Sequence, residues 1–202
     1  ELGGGQNARS RMSSTPRSAL CIATALFFCS GALGLGYELV WIRKAALVVG
    51  ASQTALATIL TSFFLGLGIG SYVVGRRMRR GGRSPLVWYG LFELGIGVFA
   101  LAFPWLFAGL ESVYGTLYPL TGGNDAALLG LRFVLLFVLC LPPTFLMGGT
   151  LPLLLDALVA EDRAIGSRTS FLYGINILGA VAGVLATCYW AIPTLGMNGT
   201  SM

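Results

Sequence analysis

The chain has 202 residues, of which 55% are hydrophobic and only 10% are charged, and its mean hydropathy is +0.80. Ordinary soluble domains carry about 25% charged residues, so this composition excludes a soluble globular domain and favours a helical bundle in a bilayer. The formal net charge is +5, but the basic residues do not alternate with aromatic residues as they do in nucleic-acid-binding proteins. We therefore expect the basic residues to contact lipid and not nucleic acid.

The N-terminal segment predicts an arm followed by a first membrane span. Residues 1–17 combine three consecutive glycines with serines and threonines and have no apolar periodicity, which is typical of a flexible arm. Three arginines place this arm in the cytoplasm by the positive-inside rule, namely Arg9, Arg11 and Arg17. The apolar run at 18–42 is too long for a signal-peptide core and lacks a small-residue cleavage site, so we expect a retained span, followed by Arg43 and Lys44 in a connection.

A second span is predicted at 52–75 and a third at 85–110. Five arginines within eight residues separate them and form a basic cluster: Arg76, Arg77, Arg79, Arg80 and Arg83. This cluster is the strongest topological signal in the sequence, and it predicts a cytoplasmic loop. The polar segment 111–125 contains no basic residue and is expected on the outer face.

The remaining apolar runs predict a fourth span at 126–156 and a fifth at 170–193. Three prolines should kink or break the fourth span about halfway, namely Pro142, Pro143 and Pro152. The loop 160–168 is predicted to be cytoplasmic, and 197–202 to form an outer-side tail of a chain that we expect to be truncated. The fold class is therefore an all-α, polytopic transmembrane bundle of about five spans with a cytoplasmic N-terminus, which places ten of the 13 basic residues inside.

Three ionisable side chains fall inside the predicted spans, where an unpaired charge costs several kcal/mol. Glu38 and Arg132 are both predicted in the outer third of the bilayer, so we expect them to be partners. Glu93 is predicted in the inner third, at a depth close to Asn176 and Ser71, which indicates a buried polar cluster. Either glutamate could couple a proton or bind a cationic amine, or the polar contacts could simply hold helices in register.

The glycines favour close helix packing and not nucleotide binding. The run GLGIG at 66–70 lies in the middle of a span with no preceding strand, which excludes a phosphate-binding loop. Further glycines fall in the first and fifth spans at small-residue spacing, namely Gly31, Gly34, Gly36, Gly179 and Gly183. We therefore expect glycine-lined faces at which helices approach each other closely.

Few side chains suit metal or redox chemistry. The sequence contains no histidine, and its four cysteines lie in apolar segments without CxxC spacing: Cys21, Cys29, Cys140 and Cys188. The sequence predicts no catalytic residue, no cofactor, no metal site and no disulfide framework.

Six segments together carry a family resemblance. They are FFCSG at 27–31, YELVWIR at 37–43, FLGLGIGS at 64–71, MGGTLP at 147–152, LYGINILGA at 172–180 and PTLG at 193–196. In this order they resemble the membrane region of spermidine synthase-like integral membrane proteins of bacteria, and the helices are distantly similar to half of a major facilitator transporter. The resemblance implies that Glu38, Arg43, Glu93, Arg132 and Asn176 occupy characteristic polar positions of that region.

The resemblance also implies a function for the chain. In such proteins the membrane helices are commonly joined to a soluble aminopropyltransferase-type domain, which moves an aminopropyl group from decarboxylated S-adenosylmethionine to a diamine. We therefore expect a non-catalytic membrane domain that lies in a bacterial inner membrane. This domain would anchor a fused soluble domain or channel substrate to it. Two alternatives remain open: an accessory structural subunit that binds other membrane subunits, and a small transporter component for a cationic solute.

Overall fold

The computed structural model describes residues 17–49, 52–78, 84–159 and 165–200. These residues are helical almost throughout and include no strand, which confirms the all-α class for the described part of the chain. The main helices are α1 (Arg17–Val49), α2 (Ser52–Met78), α3 (Pro85–Leu117), α4 (Asp125–Val159) and α5 (Ile165–Ala186). A π-helical turn, Thr187–Ala191, joins α5 to a short last helix, α6 (Ile192–Thr200).

Five stretches of the described residues are helical, long and apolar enough to cross a membrane. They are Thr24–Leu47, Gln53–Arg77, Pro85–Thr121, Asp125–Ala157 and Thr169–Gly196. Hydrocarbon about 30 Å thick requires about 20 apolar helical residues, and each stretch exceeds that length. The length and composition of these helices therefore indicate a membrane protein.

The helices α1 and α3 each extend seven residues beyond the ends of their predicted spans. The first span was expected to end at Ile42, but α1 continues to Val49, so Arg43 and Lys44 lie within the helix and not in a connection. The third span was expected to end at Leu110, but α3 continues to Leu117 and is followed by a 3₁₀ turn. Polar residues lower the hydropathy of both ends without interrupting the helical hydrogen bonds, because most of them tolerate helical geometry well.

The prolines of the fourth span do not break it. Pro142, Pro143 and Pro152 all lie inside α4, which continues from Asp125 to Val159. Each proline removes one backbone donor, but neighbouring helices can support such a helix in a membrane protein. The chain does bend later, because Gly196 has a φ of 70° and lies at a kink inside α6. Residues 197–200, predicted as part of a tail, still belong to this helix.

The helices pack in the spatial order α5, α1, α2, α4, α3. The neighbours α1 and α5 run parallel, as do α2 and α4, whereas α1 and α2 are antiparallel, as are α3 and α4. One buried cluster unites the end of α1 with the start of α2, the end of α3 and the start of α4, and its largest fully buried members are Trp41, Phe103 and Ile59. A second cluster lies at the opposite end of the bundle and includes Phe27, Tyr89 and Leu172. The bundle therefore has an end with the Trp41 cluster and an end with the Tyr89 cluster.

Glycines allow the closest helix approaches, which confirms the glycine-lined faces predicted from the sequence. A Cβ at Gly70 of α2 would overlap the backbone carbonyl oxygen of Phe145 in α4. On the other side of the bundle, a Cβ at Gly179 of α5 would overlap the carbonyl oxygen of Phe28 in α1. Backbones this close gain dispersion contacts that a side chain would prevent, which is a main source of helix association in lipid.

Candidate functional site

A cavity of about 420 Å³ lies among α1, α2, α4 and α5. Most of its lining is apolar and includes two phenylalanines of α2, Phe63 and Phe64. The polar side chains of the lining come from all four helices: Ser30, Ser71, Thr150, Tyr173 and Asn176. Small-molecule sites are typically apolar cavities of about 300–1,000 Å³ with a few placed polar groups, and this cavity fits that description.

Small residues make room for the cavity and fix its polar wall. Gly31 and Gly34 of α1 line it without side chains. A Cβ at Gly31 would overlap the backbone of Asn176, so the glycine lets α5 lie directly against α1. The Asn176 side chain then donates a hydrogen bond from Nδ2 to the backbone carbonyl oxygen of Phe27, at 2.9 Å. This interhelical bond holds the amide at the edge of the cavity and is worth on the order of 1 kcal/mol.

Glu93 of α3 lies behind this polar wall. Its carboxyl group lies near the hydroxyl groups of Ser30 and Tyr89, and Ser30 itself lines the cavity. Oε1 of Glu93 and the Tyr89 hydroxyl oxygen are buried and have no partner at hydrogen-bond geometry among the described residues. In the structure, Ser71 and Asn176 therefore line one cavity, and Glu93 lies behind Ser30, another residue of the same wall.

Glu38 lies in the other half of the bundle, away from the cavity. Its side chain is 5% exposed, faces Cys140 of α4, and has no hydrogen-bond partner at Oε1 in the described part of the chain. The expected pair of Glu38 with Arg132 is not among the described contacts. Cys140 lies eight residues beyond Arg132, which corresponds to about 12 Å along a helix. The two side chains are therefore at different levels of the bundle.

Two cations lie against aromatic rings near the Trp41 end. Arg132 donates a hydrogen bond from Nε to the Tyr114 hydroxyl at 3.0 Å, and its guanidinium lies 5.3 Å from the centre of the same ring. Lys44 is 8% exposed, with Nζ 5.7 Å from the centre of the Phe107 ring. Such cation–π contacts compensate part of the cost of removing a cation from water.

The basic residues predicted at the surface are described only in part. Arg43 is exposed on α1. Arg76 and Arg77 are exposed at the end of α2, and Arg76 donates a hydrogen bond to the Tyr72 hydroxyl at 3.0 Å. Arg79, Arg80 and Arg83 of the predicted cluster lie outside the described residues. The described part of the chain holds no group of three or more potential ligands that could bind a metal ion.

Sequence reasoning missed some residues of this site. Tyr89 precedes Glu93 by four residues, and this helical spacing alone would have placed the phenol beside the carboxyl group. No sequence pattern predicts that Ser30 and Thr150 line the cavity, because their positions in its wall depend on how α1 and α4 pack. The aromatic partners of Lys44 and Arg132 likewise come from a different helix, α3.

Comparison with known proteins gives one significant similarity. The chain is 25% identical over 193 residues to polyamine aminopropyltransferase 2 of Streptomyces coelicolor. The aligned region covers 95% of this chain but only 33% of the relative, so the chain spans about a third of that protein's length. No protein-family model matches the sequence. No solved structure matches it significantly. The similarity supports a distant spermidine synthase-like relationship.

Proposed function

We propose that this chain is the membrane domain of an aminopropyltransferase-like protein and takes no part in the transfer chemistry itself. The observation that carries the proposal is the extent of the similarity: 95% of the chain aligns with a third of a polyamine aminopropyltransferase. The chain also contributes long apolar helices suited to a bilayer, and the two carboxyl groups with a buried oxygen, Glu38 and Glu93, lie in different halves of the bundle. Such a bundle anchors, or channels substrate to, the domain that performs the reaction.

Purification from native membranes tests this proposal. An antibody against the chain should recover, in mild detergent, a species with aminopropyltransferase activity, either fused to the chain or bound to it in constant ratio. The intact mass separates these cases, because the chain alone has a mass of 21.3 kDa. Recovery of a 21.3 kDa chain with stoichiometric membrane partners and no transferase activity would instead favour an accessory structural subunit.

We further propose that the chain lies in a bacterial cytoplasmic membrane with its N-terminus inside. The positive-inside rule supports this orientation, because Arg76 and Arg77 lie in the last turn of α2 and three more arginines follow Met78 in the sequence. In a variant without native cysteines, Ser84→Cys should react with a membrane-impermeant maleimide only after permeabilisation. Asn124→Cys should react in intact cells. Both sites are exposed and lie at opposite ends of α3, so the reverse labelling pattern would contradict the orientation.

The cavity supports a second candidate function, that of a transporter component for a cationic solute. A cavity with a buried carboxyl group behind its wall is the specific observation that favours it. Alternating access usually requires two repeats that move against each other, and this chain contributes five spans. Passage of a radiolabelled amine into proteoliposomes containing this chain alone would support transport, and its absence would contradict transport by the chain alone.

A further inference from the structure

The Glu93 carboxyl group is not neutralised by any basic side chain in the cavity wall. Among the described residues, the lining of the cavity contains no lysine or arginine. Two cations face aromatic rings near the opposite end: Lys44, which is buried, lies over Phe107, and Arg132, which is partly buried, lies over Tyr114. A carboxyl group in an apolar protein interior is stabilised by hydrogen bonds or by an opposite charge. Oε1 of Glu93 has no hydrogen-bond partner among the described residues, so this carboxyl group has capacity for a further donor or a positive charge nearby.

The cavity has two chemically different parts. Ser30 and Asn176 supply oxygen atoms that accept hydrogen bonds, and the Glu93 carboxyl group lies next to Ser30, behind the wall. The α2 helix contributes mainly apolar and aromatic side chains, Phe63, Phe64 and Leu67, together with Ser71. A ligand that suits both parts has a donor-rich positive head and a hydrocarbon tail.

We propose that this cavity binds an alkylammonium ion, with its ammonium group at Ser30 beside Glu93 and its alkyl chain along the α2 side of the cavity. An ammonium group offers three donors and a positive charge, which match the acceptors at this wall. A carboxylate ligand would face Glu93 with like charge, and a neutral alkane would leave the acceptors unmatched. The binding site goes beyond the proposed membrane-domain function and does not depend on the attachment of a transferase.

Calorimetric titration of the chain in nanodiscs of uncharged phosphatidylcholine tests the proposal, with empty nanodiscs as the blank. The probes are hexylammonium and hexanol, which share the alkyl chain and differ in the charged head. We expect the unmodified chain to bind hexylammonium more tightly than hexanol. Glu93→Gln should weaken hexylammonium binding by about tenfold or more, because the carboxyl charge next to Ser30 is lost, and should leave hexanol binding unchanged.

The matched control is Glu111→Gln, which removes an exposed carboxyl group from the same helix and should change neither affinity by more than about twofold. A second variant, Gly34→Leu, tests the cavity without altering charge. A Cβ at Gly34 meets only the flexible end of Met147, at 3.7 Å from Sδ, so a larger side chain can extend into the cavity. It should abolish the binding of both probes.

Three results would overturn the proposal. They are an unmodified chain that does not bind hexylammonium, one that binds both probes equally, and a folded Glu93→Gln chain that retains the affinity for hexylammonium. If Glu93→Gln does not fold, the comparison of the two probes on the unmodified and Gly34→Leu chains still decides the outcome. The membrane-domain function is measured separately, by transferase activity in native membrane extracts, so either proposal can fail without the other.

Discussion

Trp41→Ala is expected to lower the free energy of unfolding by about 3–5 kcal/mol, the range for truncating a large buried aromatic side chain. The Trp41 side chain is 2% exposed and lies at the centre of the cluster that joins α1, α2, α3 and α4. Its ring is stacked on Phe103 with 5.5 Å between centroids and meets Phe99 edge-on at 6.1 Å. Removing the indole leaves a cavity at the contact of four helices.

Loss of packing, and not of a hydrogen bond, should account for this effect. The indole Nε1 of Trp41 has no hydrogen-bond partner within the described ranges, so the alanine variant forfeits no bond there. Unfolding in mixed micelles, followed by circular dichroism, measures the free energy. Trp105→Ala is the matched control, because Trp105 is 72% exposed and its truncation should cost less than about 1 kcal/mol. Equal losses in the two variants would contradict the assignment of Trp41 to the core.

The position of Glu93 along the bundle follows from a well-marked helix start. Pro85 begins α3, and Glu93 follows after about two turns. Counting residues from such an end gives a depth with little error, and the expected proximity to Asn176 and Ser71 followed from that depth. The cavity itself could not be predicted, because its shape depends on which faces of α1, α2, α4 and α5 are opposed.

The position of Glu38 relative to Arg132 differs from the expectation, because α1 ends later than the predicted first span. Arg43 and Lys44 were interpreted as the end of a span, which put Glu38 near the surface and opposite Arg132. In the structure α1 continues to Val49, and Lys44 is buried over Phe107. The local sequence around Lys44 does not predict that contact, because its aromatic partner lies in α3, 63 positions away in the sequence.

Gly183→Leu is expected to detach α5 from α1 and to lower the free energy of unfolding by about 3 kcal/mol. A Cβ at Gly183 would overlap the carbonyl oxygen of Ala32, and its next nearest atoms would be the backbone carbon atoms of Ala32 at 2.6 Å. A rotamer change cannot relieve a clash with backbone, so the two helices must separate. Because α5 packs mainly on α1, its other contacts cannot compensate for that loss.

Hydrogen exchange separates this mechanism from general destabilisation. Amides of α5 should exchange faster in Gly183→Leu, whereas those of the α2–α4 pair should change little, because those two helices pack closely on each other without α5. Gly174→Leu is the matched control on the same helix, since a Cβ there meets no atom of the described structure within 4 Å. Leucine also favours helix over glycine, so the control should be neutral or slightly stabilising. Comparable losses in both variants would mean that the close contact at Gly183 does not hold α5 on α1.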